Sequence, residues 1–235
     1  MTVAERVAEL VALHGLDADA AGRLLALLEL VARDPHAPSA VRDRERAVDV
    51  HVADSLSALA LPAVRGASRI ADIGSGAGFP GIALAIALPG SRVALVESNA
   101  RKCEFLTRAC HAAAVDNTEV VRGRVEEWSA GQSSFDLVTA RALDELAVVC
   151  EYAAPLLAIG GTLVAWKGTV SQAELDGGRR AAAELGLAPA GVVRASPYPG
   201  SSAHHLHAYV KTSETPTRFP RRPGAARKQP LGRRR

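Results

Sequence analysis

Residues 69–81, Arg69-Ile70-Ala71-Asp72-Ile73-Gly74-Ser75-Gly76-Ala77-Gly78-Phe79-Pro80-Gly81, leave this chain few folds to choose from, because an apolar strand runs through a glycine turn into a helix. Glycines at 74, 76 and 78 permit a sharp turn and put no Cβ in the path of a ligand, while Pro80 suits a first helical turn. Such strand-turn-helix units are where α/β proteins bind nucleotide-like ligands. Residues 76–81 also satisfy G-x-G-x-x-G, so the glycines alone admit a nicotinamide dinucleotide and S-adenosyl-L-methionine alike.

From residue 68 onward strands and helices alternate, which predicts an α/β fold with a doubly wound, mostly parallel sheet covered on both faces. Strands are expected at 69–73, 92–97, 118–122, 135–139 and 162–166, with helices at 80–88, 100–114, 146–157 and 171–185. Segments 191–195 and 206–210, joined by Pro197-Tyr198-Pro199-Gly200, read as an antiparallel closing pair. Ahead of the sheet, apolar residues at helical spacing (Val3, Val7, Leu10, Val11; then Leu24, Leu27, Leu28, Val31) predict two amphipathic helices, followed by a third over 44–61. The expected organisation is a helical extension over 1–65, a ligand-binding core over 66–212 and a tail over 213–235.

The formal charge of +3 is unevenly placed. Nine of the 28 Lys and Arg lie in residues 211–235 beside one acid, Glu214, which leaves 19 bases against 24 acids in residues 1–210. A tail so rich in Pro, Gly and Arg has little apolar surface of its own to bury. It is expected to be a disordered cationic arm, either a solvated extension or a polyanion-binding segment. No apolar run reaches the roughly 18 residues of a membrane span, and Glu5 and Arg6 stand where a secretory leader is apolar, so a cytoplasmic protein without a membrane partner is expected. Cys103, Cys110 and Cys150 have neither metal-binding nor disulfide spacing and are expected to be reduced. His204, His205 and His207 lack Cys or carboxylate companions at ligand spacing, so no metal is expected.

Carboxylates separate the ligand classes. Glu97 ends the second strand 23 residues after Gly74, close to the spacing at which an acid meets a ribose diol. Asp72 places a second acid beside the loop, where it would repel a pyrophosphate and attract a sulfonium or ammonium. That attraction is on the order of 4 kcal/mol at about 4 Å and an effective dielectric near 20, before desolvation. Val125 and Glu126, just past the third strand, are placed to read an adenine through a backbone N–H and a carboxylate; the alternative is that Glu126 and Glu127 form a solvated acidic pair. The fourth strand ends in Thr139-Ala140-Arg141-Ala142, with no Asn/Asp-Pro-Pro-aromatic motif for amine methylation and no Pro-Cys pair for covalent attack on a pyrimidine. Guanine N7 suits this inventory, since its lone pair carries no proton and positioning suffices without a general base. Arg141 is a candidate contact for the cofactor carboxylate or guanine O6, with a structural salt bridge as the alternative. His51, Asp54 and Ser55 share one helix face, which does not orient a hydrolytic triad and reads instead as a brace for the glycine loop. Lys167 faces either an RNA phosphate or solvent.

Together, His51-Val52-Ala53-Asp54-Ser55, the run from Asp72 to Ile82, Arg124-Val125-Glu126-Glu127, Thr139-Ala140-Arg141-Ala142 and Trp166-Lys167-Gly168 resemble the RsmG (GidB) family of small-subunit rRNA methyltransferases over residues 36–211. The resemblance implies a class I, Rossmann-like methyltransferase fold that uses S-adenosyl-L-methionine. It implies N7 of a guanosine in the decoding-region loop of 16S rRNA as acceptor, met as 16S rRNA or within the 30S ribosomal subunit; a monomer is expected. It implies cofactor contacts from Gly74, Phe79, Val125, Glu126 and Arg141. With the loop and ribose positions, the expected cofactor set is Asp72, Gly74, Gly76, Gly78, Phe79, Glu97, Val125, Glu126 and Arg141. Arg141, Lys167 and His205 are the expected substrate contacts, His204-His205 standing where the family usually has Arg-His. No catalytic residue is assigned. On the residues alone, an NAD(P)-dependent oxidoreductase and a non-catalytic RNA-binding assembly factor stay open.

Overall fold

The computed structural model describes residues 1–198, 200–201 and 204–232; Pro199 of the closing turn and Arg233, Arg234 and Arg235 of the tail lie outside the described residues. Helix α1 (Val3–His14) starts at a capping box in which Thr2 Oγ1 accepts the Glu5 N–H and the Glu5 carboxylate accepts the Thr2 N–H, satisfying two otherwise orphaned donors. Helix α2 (Ala20–Arg33) buries Leu24, Leu27, Leu28 and Val31, the stripe its spacing predicts.

The helix expected over 44–61 is broken into pieces. Helix α3 (Arg44–Ala47) passes into a π-helical stretch, Val48–Ala53, then α4 (Asp54–Leu56), a 3-10 stretch, Ser57–Ala60, and α5 (Pro62–Arg65). No Gly or Pro lies within 44–61 to mark the change, so apolar spacing alone runs one helix through it. The wide turns carry His51 and Asp54 to the carboxyl ends of the strands.

Strand β1 (Arg69–Ile73), α6 (Gly81–Ala87), β2 (Arg92–Glu97), α7 (Ala100–Ala112), β3 (Thr118–Arg122), β4 (Phe135–Arg141), α8 (Leu146–Ala153), β5 (Leu157–Lys167), α9 (Gln172–Glu184), β6 (Leu187–Ala195) and β7 (His204–Lys211) follow in turn. The strands form one sheet in the order β3-β2-β1-β4-β5-β7-β6, parallel except for β7, which is antiparallel to both neighbours. The doubly wound sheet and its antiparallel closing pair match the sequence reading. Strand β4 runs longer than expected because its pairing continues to Arg141↔Trp166, and β5 because it already pairs at Phe135↔Leu157 and runs on to Lys167↔His205. Side chains alternate across the sheet: Ile70, Leu95 and Leu137 join the core built with α1, α2, α6 and α7, whereas Ala71, Val96 and Val138 join the core under α8 and α9. Strand order reverses between β1 and β4, which opens a crevice outside their carboxyl ends.

The tail departs most from expectation. Rather than forming a disordered arm, residues 213–232 lie along the domain: Phe219 and Ala226 are buried, helix α10 (Ala225–Lys228) packs on α8, and Leu231 joins the second core. Three of its cations find acids already held by the domain, Arg221 with Glu151 at 2.5 Å, Arg218 with Glu184 at 3.1 Å and Arg227 with Asp144 at 2.7 Å. Composition counts the apolar surface a segment owns but not the partners that α8 and α9 offer it. Glu151 is 1% exposed, and an unpaired carboxylate there would be costly.

Candidate cofactor site

The glycine loop is held from beneath by Asp72. Its carboxylate accepts the Gly81 N–H at 3.2 Å and the Thr139 hydroxyl at 2.8 Å, and it is 1% exposed. Burial pushes its pKa up to about 6 against the pull of these bonds and of Arg141. This corrects the expectation of a free anion at the mouth of the loop: the Asp72 carboxylate is buried beneath the turn and bonds its backbone. Gly81 must lack a side chain, because a Cβ there would strike Leu95 and the Asp72 carboxylate. Gly74 has φ +73°, and a Cβ would lie 2.6 Å from Leu143 Cδ1. The left-handed backbone excludes side chains at this position, and Leu143 would have to shift as well.

Beside the loop lies an open cleft of about 270 Å³ whose walls include Gly74, Glu97, Lys102, Val125, Glu126, Leu143, Tyr152 and Arg227. Glu97 ends β2 and orders two segments at once, its Oε2 accepting the Gly76 N–H at 3.3 Å and its Oε1 the Asn99 N–H at 2.9 Å. Glu126 follows β3 on a short 3-10 turn, and its Oε1 accepts the Gly224 N–H at 3.0 Å. The strand ends thus bring Gly74, Glu97, Val125 and Glu126 together as expected. Gly76, Gly78 and Phe79 shape the loop rather than line this cleft.

Arg141 turns the other way. Its guanidinium donates to the Val50 carbonyl and to Asp54 Oδ2, both at 2.9 Å, approaches His51 Nδ1 at 3.3 Å and lies over the Phe79 ring. The His51 ring stacks on Phe79 with centroids 4.7 Å apart. Burial, helped by Arg141, brings the His51 pKa down to about 4. Since Arg141 can only donate, the neutral imidazole accepts at Nδ1 and its Nε2–H donates to Ser39 Oγ at 2.9 Å, a tautomer assigned from these partners. Asp54 Oδ1 meets His204 Nδ1 at 2.9 Å, and the Asp54 carbonyl accepts the Trp166 indole N–H. Ser55 is buried and donates to the His51 carbonyl, so it is no nucleophile. The cluster braces the helical segment against the glycine loop.

A sheet of this order with acids at the ends of β2 and β3 can hold an adenosyl ligand, and comparison with known proteins identifies the family. The sequence model described as GidB: rRNA small subunit methyltransferase G matches residues 27–197. The chain belongs to that family. Ribosomal RNA small subunit methyltransferase G of Rubrobacter xylanophilus is 41% identical over 196 residues, covering 81% of this chain and 75% of that protein. The Deinococcus radiodurans protein of the same name is 37% identical, covering 89% and 83%. Among solved structures, a predicted O-methyltransferase from Agrobacterium tumefaciens has 25% identity and a TM-score of 0.55, covering 70% of this chain and 81% of that one. A mutant of MtNAS crystallised with S-adenosylmethionine shares the fold at 20% identity and a TM-score of 0.55, covering 81% and 72%.

As a member of the rRNA small subunit methyltransferase G family, the chain is an S-adenosyl-L-methionine-dependent rRNA methyltransferase. In this member, Lys167 and His205 are cross-strand neighbours on β5 and β7, and Lys167 bonds Glu174 at 2.6 Å and the Asp144 carbonyl at 3.0 Å. No group of His, Cys, Asp and Glu among the described residues is arranged to hold a metal, and no described helix is long and apolar enough to cross a membrane. Sequence reasoning missed Tyr152 and Arg227 as cleft residues. Tyr152 carried a signal, since Glu151-Tyr152 is the polar pair in an otherwise apolar helix. Arg227 carried none, because nothing in its local spacing says where the tail lies.

Proposed function

We propose that this chain methylates N7 of a guanosine in the decoding-region loop of 16S rRNA, holding its cofactor through Gly74, Glu97, Val125 and Glu126. One observation carries the proposal. The cleft beside the glycine loop has carboxylates on two neighbouring strand ends and no His or Cys among its lining residues.

When bound, S-adenosyl-L-methionine supplies an activated methyl group. The Glu97 carboxylate, already ordering Gly76 and Asn99, is placed to accept from ribose hydroxyls, and Val125 and Glu126 offer a backbone N–H and a carboxylate to an adenine edge. Phe79 and Arg141 bound the opposite side of the loop and are assigned to the methionine end, where the guanidinium complements a carboxylate. Asp72, Gly76 and Gly78 act through the shape of the loop.

An acceptor nitrogen with a free lone pair needs orientation and exclusion of water but no proton removal, which leaves the cleft carboxylates to hold the cofactor. Burial pushes the Cys150 thiol up to about 12 and raises Cys103 and Cys110 as well, so none offers a thiolate. This favours direct transfer without a covalent enzyme intermediate. Lys167 and His205 are assigned to the RNA side, with a cytoplasmic monomer acting on 16S rRNA of the 30S subunit. Incubating the protein with unmethylated 30S particles and labelled cofactor tests the reading. Nucleoside analysis should find the label as N7-methylguanosine; label in another nucleoside, or none, overturns it.

A further inference from the structure

The tail does more than cover apolar surface. Gly224 donates its N–H to Glu126, Arg227 donates through Nη2 to the Leu143 carbonyl at 3.2 Å and pairs through Nε with Asp144, and Arg227 itself lines the cleft beside Tyr152 and Glu126. These contacts join the segment to the wall after β3 and the wall after β4. The family match ends at residue 197, so this wall lies outside the matched region.

We propose that residues 219–232 are a strap that builds the adenine-side wall of the cofactor cleft, with Arg227 as a cofactor-contacting residue. The inference rests on the cofactor reading of the cleft given above. The strap is anchored away from the cleft: Arg221 makes a two-point pair with the buried Glu151 at 2.8 and 2.5 Å, and Arg180 Nε donates to the Gly232 carbonyl at 2.6 Å. Those anchors fix the backbone from which Gly224 and Arg227 reach inward. The Gly224 N–H and the Tyr152 hydroxyl both hold the Glu126 carboxylate where it lines the cleft. The Arg227 side chain is 54% exposed, so its guanidinium is available to a ligand entering the cleft while Asp144 and Leu143 hold it in place.

Calorimetric titration of the unloaded full-length protein and its Arg227→Ala variant with S-adenosylhomocysteine, adenosine and methionine tests this. Arg227→Ala should fold and melt as the parent does. Its affinity for S-adenosylhomocysteine and for adenosine should fall roughly tenfold, the size of one charge-assisted hydrogen bond, with methionine affinity unchanged. Hydrogen exchange should also show amides 224–231 gaining protection when S-adenosylhomocysteine binds the parent. Unchanged affinity in Arg227→Ala, or a loss confined to RNA binding, overturns the strap and leaves the cofactor reading standing. A parent protein that binds no S-adenosylhomocysteine overturns both.

Discussion

Arg141 at the end of β4 reaches Asp54, 87 residues earlier in the chain, at 2.9 Å, and this pair locks the π-helical segment onto the sheet. Asp54 is nearly buried, with its side chain 5% exposed, so Arg141→Ala leaves a carboxylate with only His204 beside it. Losing one partner of such a pair costs about 3–5 kcal/mol. Urea unfolding should register that loss, and Arg141→Lys should recover only part of it because Arg141 serves several acceptors. Equal stability of Arg141→Ala and the parent would show that the pair does not hold the segment.

That pair also marks the limit of the sequence. The strands were legible because the apolar runs at 69–73 and 92–97 are short, β-branched and bounded by turn residues, and Glu97 followed from its distance to Gly74. The direction of Arg141 was not legible, because it depends on wide turns at 48–53 that no residue type announces. Asp72 was placed correctly on β1, but whether it faces the ligand or the loop depends on how closely α6 approaches at Gly81. The path of the tail is not legible because Arg218, Arg221 and Arg227 pair with acids far away in sequence.

His51 and Asp72 give stability opposing pH dependences. Below about 6.5 the unfolded chain protonates His51 while the folded chain resists until about 4, so this group lowers stability as pH falls through that window. Folded Asp72 keeps its proton to about 6, whereas the unfolded residue sheds it near 3.8, so this group lowers stability as pH rises through that range. Each effect is about 3 kcal/mol, and between pH 4 and 6 they offset. Asp72→Asn keeps an acceptor for Gly81 and a donor for the Thr139 hydroxyl, and it removes the second effect. Its stability relative to the parent should climb by up to about 1.4 kcal/mol per pH unit from pH 4 to 6 in urea titrations. Parallel curves for variant and parent would refute the assignment of Asp72.

Gly74→Ala should cost about 1–3 kcal/mol, from left-handed backbone strain and contact with Leu143. Because Gly74 and Leu143 both line the cleft, binding of S-adenosylhomocysteine should weaken as well. Adding Leu143→Ala removes the collision but not the backbone strain, so the double variant should be more stable than the sum of the two single losses predicts. Strict additivity in thermal unfolding would place the fault elsewhere in the loop.

Glu97 offers a test of ligand chemistry as well as of stability. Glu97→Gln presents one amide nitrogen where two backbone N–H groups, those of Gly76 and Asn99, now find acceptors. Losing one of these bonds and the charge weakens the loop by about 1–3 kcal/mol, or roughly 10–100-fold in cofactor affinity. If the carboxylate also accepts from the ribose diol, the parent should bind adenosine more tightly than 2′-deoxyadenosine, and Glu97→Gln should narrow that preference. Competition against labelled S-adenosylhomocysteine measures both. Weakening of the two nucleosides by the same factor would mean that Glu97 only orders the loop and that the diol is read by another group.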